Sequence, residues 1–138
     1  MIDLDALVAE ARAAREQAYA PYSGFKVGAA LLDSEGRVWR GCNIENAAFG
    51  VANCAERTAL FKAVSEGSRR FVALAVVAGE EGYPYPCGAC RQALAEFCPP
   101  ELPVAMENLR GERLTKPFGE LLPMPFVVFQ PDQAGGTR

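Results

Sequence analysis

Three cysteines and one glutamate in this sequence have the residue types and spacing of a catalytic metal site. Cys54 and Glu56 stand in the run Asn-Cys-Ala-Glu-Arg, and Cys87 and Cys90 stand later in Pro-Cys-Gly-Ala-Cys-Arg. Three thiolates leave one position of a tetrahedral Zn²⁺ open for water or substrate, whereas a structural zinc is normally closed by four protein ligands. The Glu56 carboxylate then remains available for proton transfer. We therefore predict a catalytic zinc site with these three cysteines as ligands.

The spacing also predicts how these side chains are presented. Cys87 and Cys90 are three residues apart and so share one face of a helical turn. Cys54 and Glu56 are two apart, which would point them about 200° away from each other inside a regular helix, so we expect Cys54 at the helix cap. Two helix N-termini then converge on the metal and offset the charge of the thiolates. Arg57 could donate further hydrogen bonds to the thiolates; the alternative is an ordinary surface arginine.

The composition excludes several other chemistries. The 138 residues include no histidine, which removes Ser-His-Asp and Cys-His nucleophile systems and any histidine-ligated metal within this chain. A net charge of −3 without a basic run disfavours nucleic acid as a partner. No apolar run approaches the ~18 residues of a membrane span, and the N-terminal residues do not resemble a signal peptide. Five cysteines, an odd number, fit a reducing compartment, so we expect a cytoplasmic protein without a membrane partner.

Hydrophobic periodicity predicts the elements that must position these residues. Helices are expected at about 4–19, 55–66, 88–97 and 117–122, and strands at about 25–32, 37–42, 71–78, 104–107, 113–115 and 126–129. The unbroken apolar run at 71–78 is typical of a central strand buried on both faces. Gly28, inside the first strand, indicates a close backbone approach.

The order of these elements predicts the fold. Helices that alternate with strands around one buried strand indicate an α/β protein, a three-layer α/β/α sandwich with a mixed sheet. We expect one domain over residues 1–138, with a flexible tail at about 131–138. Both cysteine-bearing helices follow a strand and a loop, so the metal should lie at one end of the sheet.

Several segments together resemble the cytidine deaminases of the small, homotetrameric, zinc-dependent type. These segments are Ala20–Ser23, Phe25–Ala30, Gly41–Ala47, Asn53–Leu60, Pro86–Gln92 and Leu121–Pro123. Each one is weak alone, whereas the whole set in this order and spacing is highly specific. The resemblance implies a mixed five-stranded sheet. It also implies hydrolytic deamination of cytidine and 2'-deoxycytidine to uridine and 2'-deoxyuridine, with release of ammonia, in pyrimidine salvage.

The same resemblance implies roles for individual residues. Cys54, Cys87 and Cys90 would hold Zn²⁺, and Glu56 would carry protons between the activated water and the base. The pyrimidine nucleoside would be bound by the ring of Phe25 against base or sugar, by Asn43 and Glu45 at the ribose hydroxyls, and by the backbone of Ala55 at the base edge.

Two further aromatic residues would act between subunits if the resemblance holds. Phe126 would stack on the base in a neighbouring subunit's site, as part of a homotetramer with shared active sites. Phe49 would also reach a neighbour's site, although tyrosine is the residue expected at its position. The alternative for Phe126 is that it packs within its own subunit.

Simpler interpretations stay open for several residues. Phe25 begins a predicted strand and is also consistent with plain core. Asn43 and Glu45 lie in a turn-forming loop, where a backbone role is the ordinary one. Cys42 or Cys98 could serve as a fourth ligand and close a structural site, although a free buried cysteine is the more common role.

Two other functional classes match part of the pattern. Residues 87–90 alone resemble the Cys-x-x-Cys motif of thioredoxin-type oxidoreductases, but this interpretation leaves Cys54 and Glu56 unexplained. The other class is a binding module with purely structural zinc. Bound metal would argue against the first class, and catalytic silence despite bound zinc would support the second.

Overall fold

The computed structural model describes residues 2–127, which contain one mixed sheet of five strands. The strands are β1 (Val27–Asp33), β2 (Val38–Cys42), β3 (Phe71–Ala78), β4 (Pro103–Glu107) and β5 (Arg113–Pro117). Their order across the sheet is β2-β1-β3-β4-β5. The central pair β3 and β4 is parallel, and the other neighbouring pairs are antiparallel. The predicted α/β fold with a mixed five-stranded sheet is therefore confirmed.

Helices cover both faces of this sheet. Helix α1 (Leu4–Arg15) packs on one face, and α2 (Ala55–Ser65) and α3 (Gly88–Ala95) pack on the other. Strand side chains alternate between the two faces. Strand β3 thus supplies Ala73, Ala75 and Val77 to the core under α1, and Leu74 and Val76 to the core under α2 and α3. Burial on both faces explains the unbroken apolar run that predicted this strand.

Two glycines allow the helices to lie directly on the strands. A Cβ atom at Gly28 of β1 would overlap the carbonyl oxygen of Ala11 in α1, so the predicted close approach is confirmed. A Cβ atom at Gly41 of β2 would overlap the backbone of Ala55 and Ala59 in α2. The absence of side chains at these two positions fixes how closely each helix approaches the sheet. Gly41 in particular seats the first turn of α2, which carries Glu56.

Helix α1 is shorter than predicted. It ends at Arg15 instead of near residue 19. The reason is that the backbone of Tyr19 is used elsewhere: its amide donates to the carbonyl of Asn43 (3.0 Å), and its carbonyl accepts from the amide of Glu45 (2.8 Å). Phe25 is likewise outside a strand, because β1 begins at Val27.

The C-terminal part also differs from prediction. A short helix, α4 (Phe118–Leu121), follows β5 as expected. The predicted strand at 126–129 is not formed at residues 126 and 127, where the carbonyl of Phe126 accepts a hydrogen bond from Gln92 of α3 (2.6 Å). Residues 128 and 129 and the predicted tail at 131–138 lie outside the described residues. Within residues 2–127, no helix is long and apolar enough to cross a membrane.

Candidate active site

Cys54, Cys87 and Cys90 meet where α2 and α3 begin. Cys54 is the N-cap of α2, the position expected from its spacing to Glu56, and Cys87 is the N-cap of α3. The three sulfur atoms lie within 4.8 Å of one another, and the Sγ atoms of Cys54 and Cys87 are 3.7 Å apart. Two thiolates bound to a tetrahedral Zn²⁺ at ~2.3 Å are about 3.8 Å apart. The cluster therefore has the size and donor set of a three-thiolate metal site.

The two cysteines considered as a fourth ligand lie outside this cluster. Cys42 is the last residue of β2 and Cys98 is buried after α3, and both are free thiols. Within residues 2–127, the only group of three or more cysteine and acidic side chains close enough to share a metal is the one at the two helix ends. A closed four-cysteine site is therefore not formed.

The backbone and Arg57 both donate hydrogen bonds to the sulfur atoms. The Sγ atom of Cys87 accepts from the amide of Cys90 (3.4 Å), one of the N–H groups that a helix N-terminus leaves unpaired. A guanidinium nitrogen of Arg57, Nη2, donates to Sγ of Cys54 (3.3 Å). Arg57 is half-buried, and its Nε is buried without a partner among the described residues. Negative charge on the adjacent Cys54 sulfur compensates this partly buried cation.

The thiol cluster favours a thiolate at Cys54. A hydrogen bond from the Cys90 thiol, with a further one from Arg57, lowers the pKa of Cys54 to about 5 although burial opposes the shift. The pKa of Cys90 is raised, because its thiol donates to Cys54 and because it is buried. The thiolate is the form of cysteine that binds a metal ion.

Glu56 is buried beside the thiols. Only 4% of its surface is exposed. Burial raises the pKa of Glu56 to about 7, and the nearby charge on Cys54 adds to the rise. A hydrogen bond from the backbone amide of Glu56 itself opposes this rise. No other side chain in residues 2–127 donates a hydrogen bond to this carboxyl group. Its geometry and protonation therefore suit it to accept and release a proton.

A cavity of about 370 Å³ opens beside Glu56. Its volume is typical of a site for a small molecule. Its polar, reactive and aromatic lining residues are Ser23, Phe25, Asn43, Glu45, Asn53, Cys54, Glu56, Tyr85 and Cys87. The cavity thus joins the thiol cluster to the loop residues that the sequence marked as candidate substrate contacts.

Asn43 and Glu45 line the cavity and also hold the chain segment that enters β1. The amide oxygen of Asn43 accepts from the backbone of Val27 (2.8 Å), and its amide nitrogen donates to the carbonyl of Phe25 (2.8 Å). The Glu45 carboxylate accepts from the amide and the hydroxyl of Ser23 and from a second backbone amide. The backbone role considered for both residues is therefore present, at a place where they also face the cavity.

The remaining candidate contacts divide into two pairs. Phe25 and Ala55 both line the cavity. Phe25 exposes 52% of its surface and is therefore not a core residue, whereas Ala55, the first residue of α2, is fully buried. Phe49 lies in a short 3-10 helix, Phe49–Val51, with 77% of its surface exposed and its ring edge-on to Tyr22. Phe126 exposes 67% of its surface. Neither Phe49 nor Phe126 lines the cavity beside Glu56 in the single chain.

The structure also adds cavity residues that the sequence pattern did not single out. Ser23, Asn53 and Tyr85 are the polar or aromatic ones among them. Ser23 belongs to the segment Ala20–Ser23 that resembles the family, yet only the fold shows that its hydroxyl donates a hydrogen bond to Glu45. Tyr85 stands two residues before Cys87, and this closeness to a ligand is the one signal that could have identified it.

Comparisons with known proteins agree with this geometry. The family model described as "Cytidine and deoxycytidylate deaminase zinc-binding region" matches residues 1–106. The cytidine deaminase of Sporosarcina psychrophila is 57% identical over 125 residues, which cover 91% of this chain and 92% of that protein. The cytidine deaminase of Halalkalibacterium halodurans is 56% identical over 127 residues, covering 92% and 96%.

A solved structure leads to the same family. The crystal structure of cytidine deaminase from Burkholderia pseudomallei matches with a TM-score of 0.87 at 51% sequence identity, over 91% of this chain and 100% of that one. Both the sequence relatives and the fold therefore agree with the resemblance carried by the motifs. The chain belongs to the cytidine deaminase family of enzymes.

Proposed function

We propose that this protein hydrolytically deaminates cytidine and 2'-deoxycytidine to uridine and 2'-deoxyuridine, with release of ammonia, as a step of pyrimidine salvage. The observation that carries the proposal is a buried carboxyl group, Glu56, that shares one cavity with Cys54 and Cys87, two of the three clustered thiols. Membership of the cytidine deaminase family supports the same reaction.

Cys54, Cys87 and Cys90 would hold Zn²⁺ as the cofactor. When bound, the ion supplies a Lewis acid that lowers the pKa of a water ligand toward neutrality. Three thiolates carry more negative charge than one divalent ion can cancel, which would weaken this acidity. The N-termini of α2 and α3 and the guanidinium of Arg57 lie beside the sulfur atoms and would draw off part of the excess charge.

Glu56 would carry the protons of the reaction. In this proposal its carboxylate takes a proton from the water that attacks C4 of the base and passes it to ring N3. It then takes the proton of the hydroxyl group newly attached to C4 and passes it to the amine, which leaves as ammonia while the C4 carbonyl forms. The buried position of Glu56 in the first turn of α2 supports this role, because no other side chain among residues 2–127 competes for its carboxyl oxygens.

The two alternative classes explain less of the structure. A Cys-x-x-Cys redox centre would need Cys87 and Cys90 alone, whereas Cys54 contacts Cys87 and receives a hydrogen bond from Arg57. A purely structural zinc would leave the adjoining cavity and the buried Glu56 without a purpose. The deaminase proposal uses all of these features together.

The sugar would be bound by Asn43 and Glu45. An Asn amide has two donor hydrogens and two acceptor positions, and a carboxylate has about four acceptor positions. The loop uses one donor and one acceptor position of Asn43 and three acceptor positions of Glu45. Both side chains therefore keep capacity for hydroxyl groups of a ribose. Phe25 and the backbone of Ala55 would contact the base.

We also propose a homotetramer with shared active sites, in the cytoplasm. Phe49 and Phe126 expose 77% and 67% of their surfaces, and Met124 near the C-terminus exposes 91%. Met124 and Phe126 are two residues apart in the chain, and large exposed apolar side chains that lie close together commonly mark a protein interface. This pattern supports the stacking role of Phe126 in a neighbour's site over packing within its own subunit. All five cysteines are free, which fits a reducing compartment.

Metal content tests the proposed ligands. Cys54→Ser, Cys87→Ser and Cys90→Ser should each lose most of the one Zn²⁺ per chain, because each removes one of only three thiolates. The measurement is elemental analysis of the purified proteins. Cys42→Ser and Cys98→Ser are matched controls and should keep their metal, since both thiols lie outside the cluster. Metal loss from Cys98→Ser but not from Cys54→Ser would contradict this ligand set.

Turnover of cytidine tests the reaction and the role of Glu56. The wild-type protein should reduce the cytosine absorbance band of cytidine and release ammonia. Glu56→Gln should keep its metal and lose roughly a hundred- to ten-thousand-fold in kcat, because the amide cannot carry the proton. Glu66→Gln, the same change at the exposed far end of α2, is the control and should stay near wild type. A well-folded, metal-loaded Glu56→Gln protein with substantial activity would rule out the proton-carrier role.

Comparison of base and nucleoside tests the proposed sugar contacts. Free cytosine should have a far lower kcat/KM than cytidine, because it leaves the polar groups of Asn43 and Glu45 unfilled. The same assay with 2'-deoxycytidine measures how much the 2' hydroxyl contributes to kcat/KM. Similar kcat/KM values for cytosine and cytidine would show that this loop does not contact the sugar.

Assembly and complementation test the shared sites. Light scattering during size exclusion should give about four times the 14.8 kDa chain mass. Glu56→Gln and Phe126→Ala chains should each be nearly inactive alone, yet mixed tetramers should regain activity, because some of their sites have both residues intact. A fully active monomer, or verified hybrids without any rescue, would exclude shared sites.

A further inference from the structure

We propose that the side chain of Tyr85 forms the wall of the cavity beside Cys87 and limits the size of the substituent that a cytosine base can carry at C5. This inference rests on the proposed function, because it assumes that cytidine lies in the cavity with C4 beside the thiols. It adds a determinant of substrate specificity that neither the metal ligands nor the proton carrier provides.

Tyr85 is a cavity residue without a part in the proposed reaction. It lines the cavity together with its neighbour Pro84 and with Cys87, and 55% of its surface is exposed. Its hydroxyl makes no hydrogen bond with any residue in the described part of the chain. The ring, and not a fixed polar contact, is therefore what this side chain presents to a ligand.

The backbone around Tyr85 is restrained. Pro84 and Pro86 flank it and fix their own φ angles near −65°. The amide of Tyr85 donates to the carbonyl of Tyr83 (2.9 Å), and the two tyrosine rings meet edge-to-face with centroids 6.4 Å apart. A wall that discriminates by size must be held in place, and these contacts hold this one.

The loop that carries Tyr85 is also anchored to the rest of the protein at three points. The carbonyl of Gly79 accepts from the amide of Leu109 (2.8 Å), and the carbonyl of Gly82 accepts from the side chain of Asn108 (2.9 Å). At the other end, the guanidinium of Arg91 donates to the carbonyl of Pro86 (2.7 Å). Asn108 is fully buried, so its anchor is shielded from water.

The orientation of the base follows from the proposed proton transfer. The ring neighbours of C4 are N3 and C5, which lie on opposite sides of it. Glu56 must face N3 to deliver a proton there, and it projects from α2. C5 then faces away from Glu56, toward the loop that leads into α3, where Pro84 and Tyr85 line the cavity. A group attached to C5 would meet the Tyr85 ring.

The test compares variants on the same pair of substrates, so that electronic effects of the substituent cancel. The measured quantity is a ratio, in which kcat/KM for a 5-substituted cytidine is divided by kcat/KM for cytidine itself. The substituted nucleosides are 5-methylcytidine and the larger 5-iodocytidine. Tyr85→Ser should raise this ratio by about tenfold or more over wild type. Tenfold is the lower end of the discrimination that a pocket achieves against one misfitting group. The rise should be greater for iodine than for methyl, and Tyr85→Leu should give an intermediate value.

Two controls separate the ring from other effects. Tyr85→Phe keeps the ring and should keep the wild-type ratio. Tyr19→Ser removes an exposed tyrosine that neither lines the cavity nor makes a ring contact with Tyr85, and it should change the ratio little. An unchanged ratio in Tyr85→Ser and Tyr85→Leu, or an equal rise in Tyr19→Ser, would overturn the inference. Failure of the wild-type protein to deaminate cytidine would instead overturn the proposed function and this inference with it.

Discussion

The rest of the site depends on one constraint. Three sulfur atoms lie within 4.8 Å of one another, so their negative charge is concentrated in a small volume when they bind a metal as thiolates. The protein meets this constraint with fixed dipoles and one cation instead of a compensating cluster of lysines. Cys54 and Cys87 cap two helices, and Arg57 donates directly to sulfur. Because both caps belong to helices packed in the core, the charge compensation is built into the fold and not into mobile surface groups.

Sheet topology explains why the two caps meet. Strands β2 and β3 are each antiparallel to β1, so they point in the same direction and end at the same edge of the sheet. The chain leaves each of these strands through a loop and enters a helix on the same face. Cys54 and Cys87 therefore arrive at one place although 32 residues of chain separate them. The close contact between Gly41 and α2 fixes the distance of α2 from the sheet.

Much of this arrangement could be predicted from local sequence, since its signals are local. Each of these signals lies within one strand or helix: the apolar run of β3, the glycine inside β1 and the Cys-x-x-Cys spacing at the start of α3. The end of α1 could not be predicted, because it is set by hydrogen bonds between Tyr19 and a distant loop at residues 43–45. Tyr85 was missed for a similar reason, since only the folded loop shows which of its two tyrosines faces the cavity.

The double use of Asn43 and Glu45 has a consequence for how this enzyme can be altered. The hydrogen bonds that these side chains make to residues 22–27 shape the same loop that carries Phe25 to the cavity. If these side chains bind the sugar as proposed, mutational drift at either position would change ligand recognition and local stability together. Directed evolution toward substrates without a sugar would first have to stabilise the loop by other contacts, such as new packing around Tyr22. Tyr85 has no such structural duty through its hydroxyl and offers the more evolvable route to new substrates.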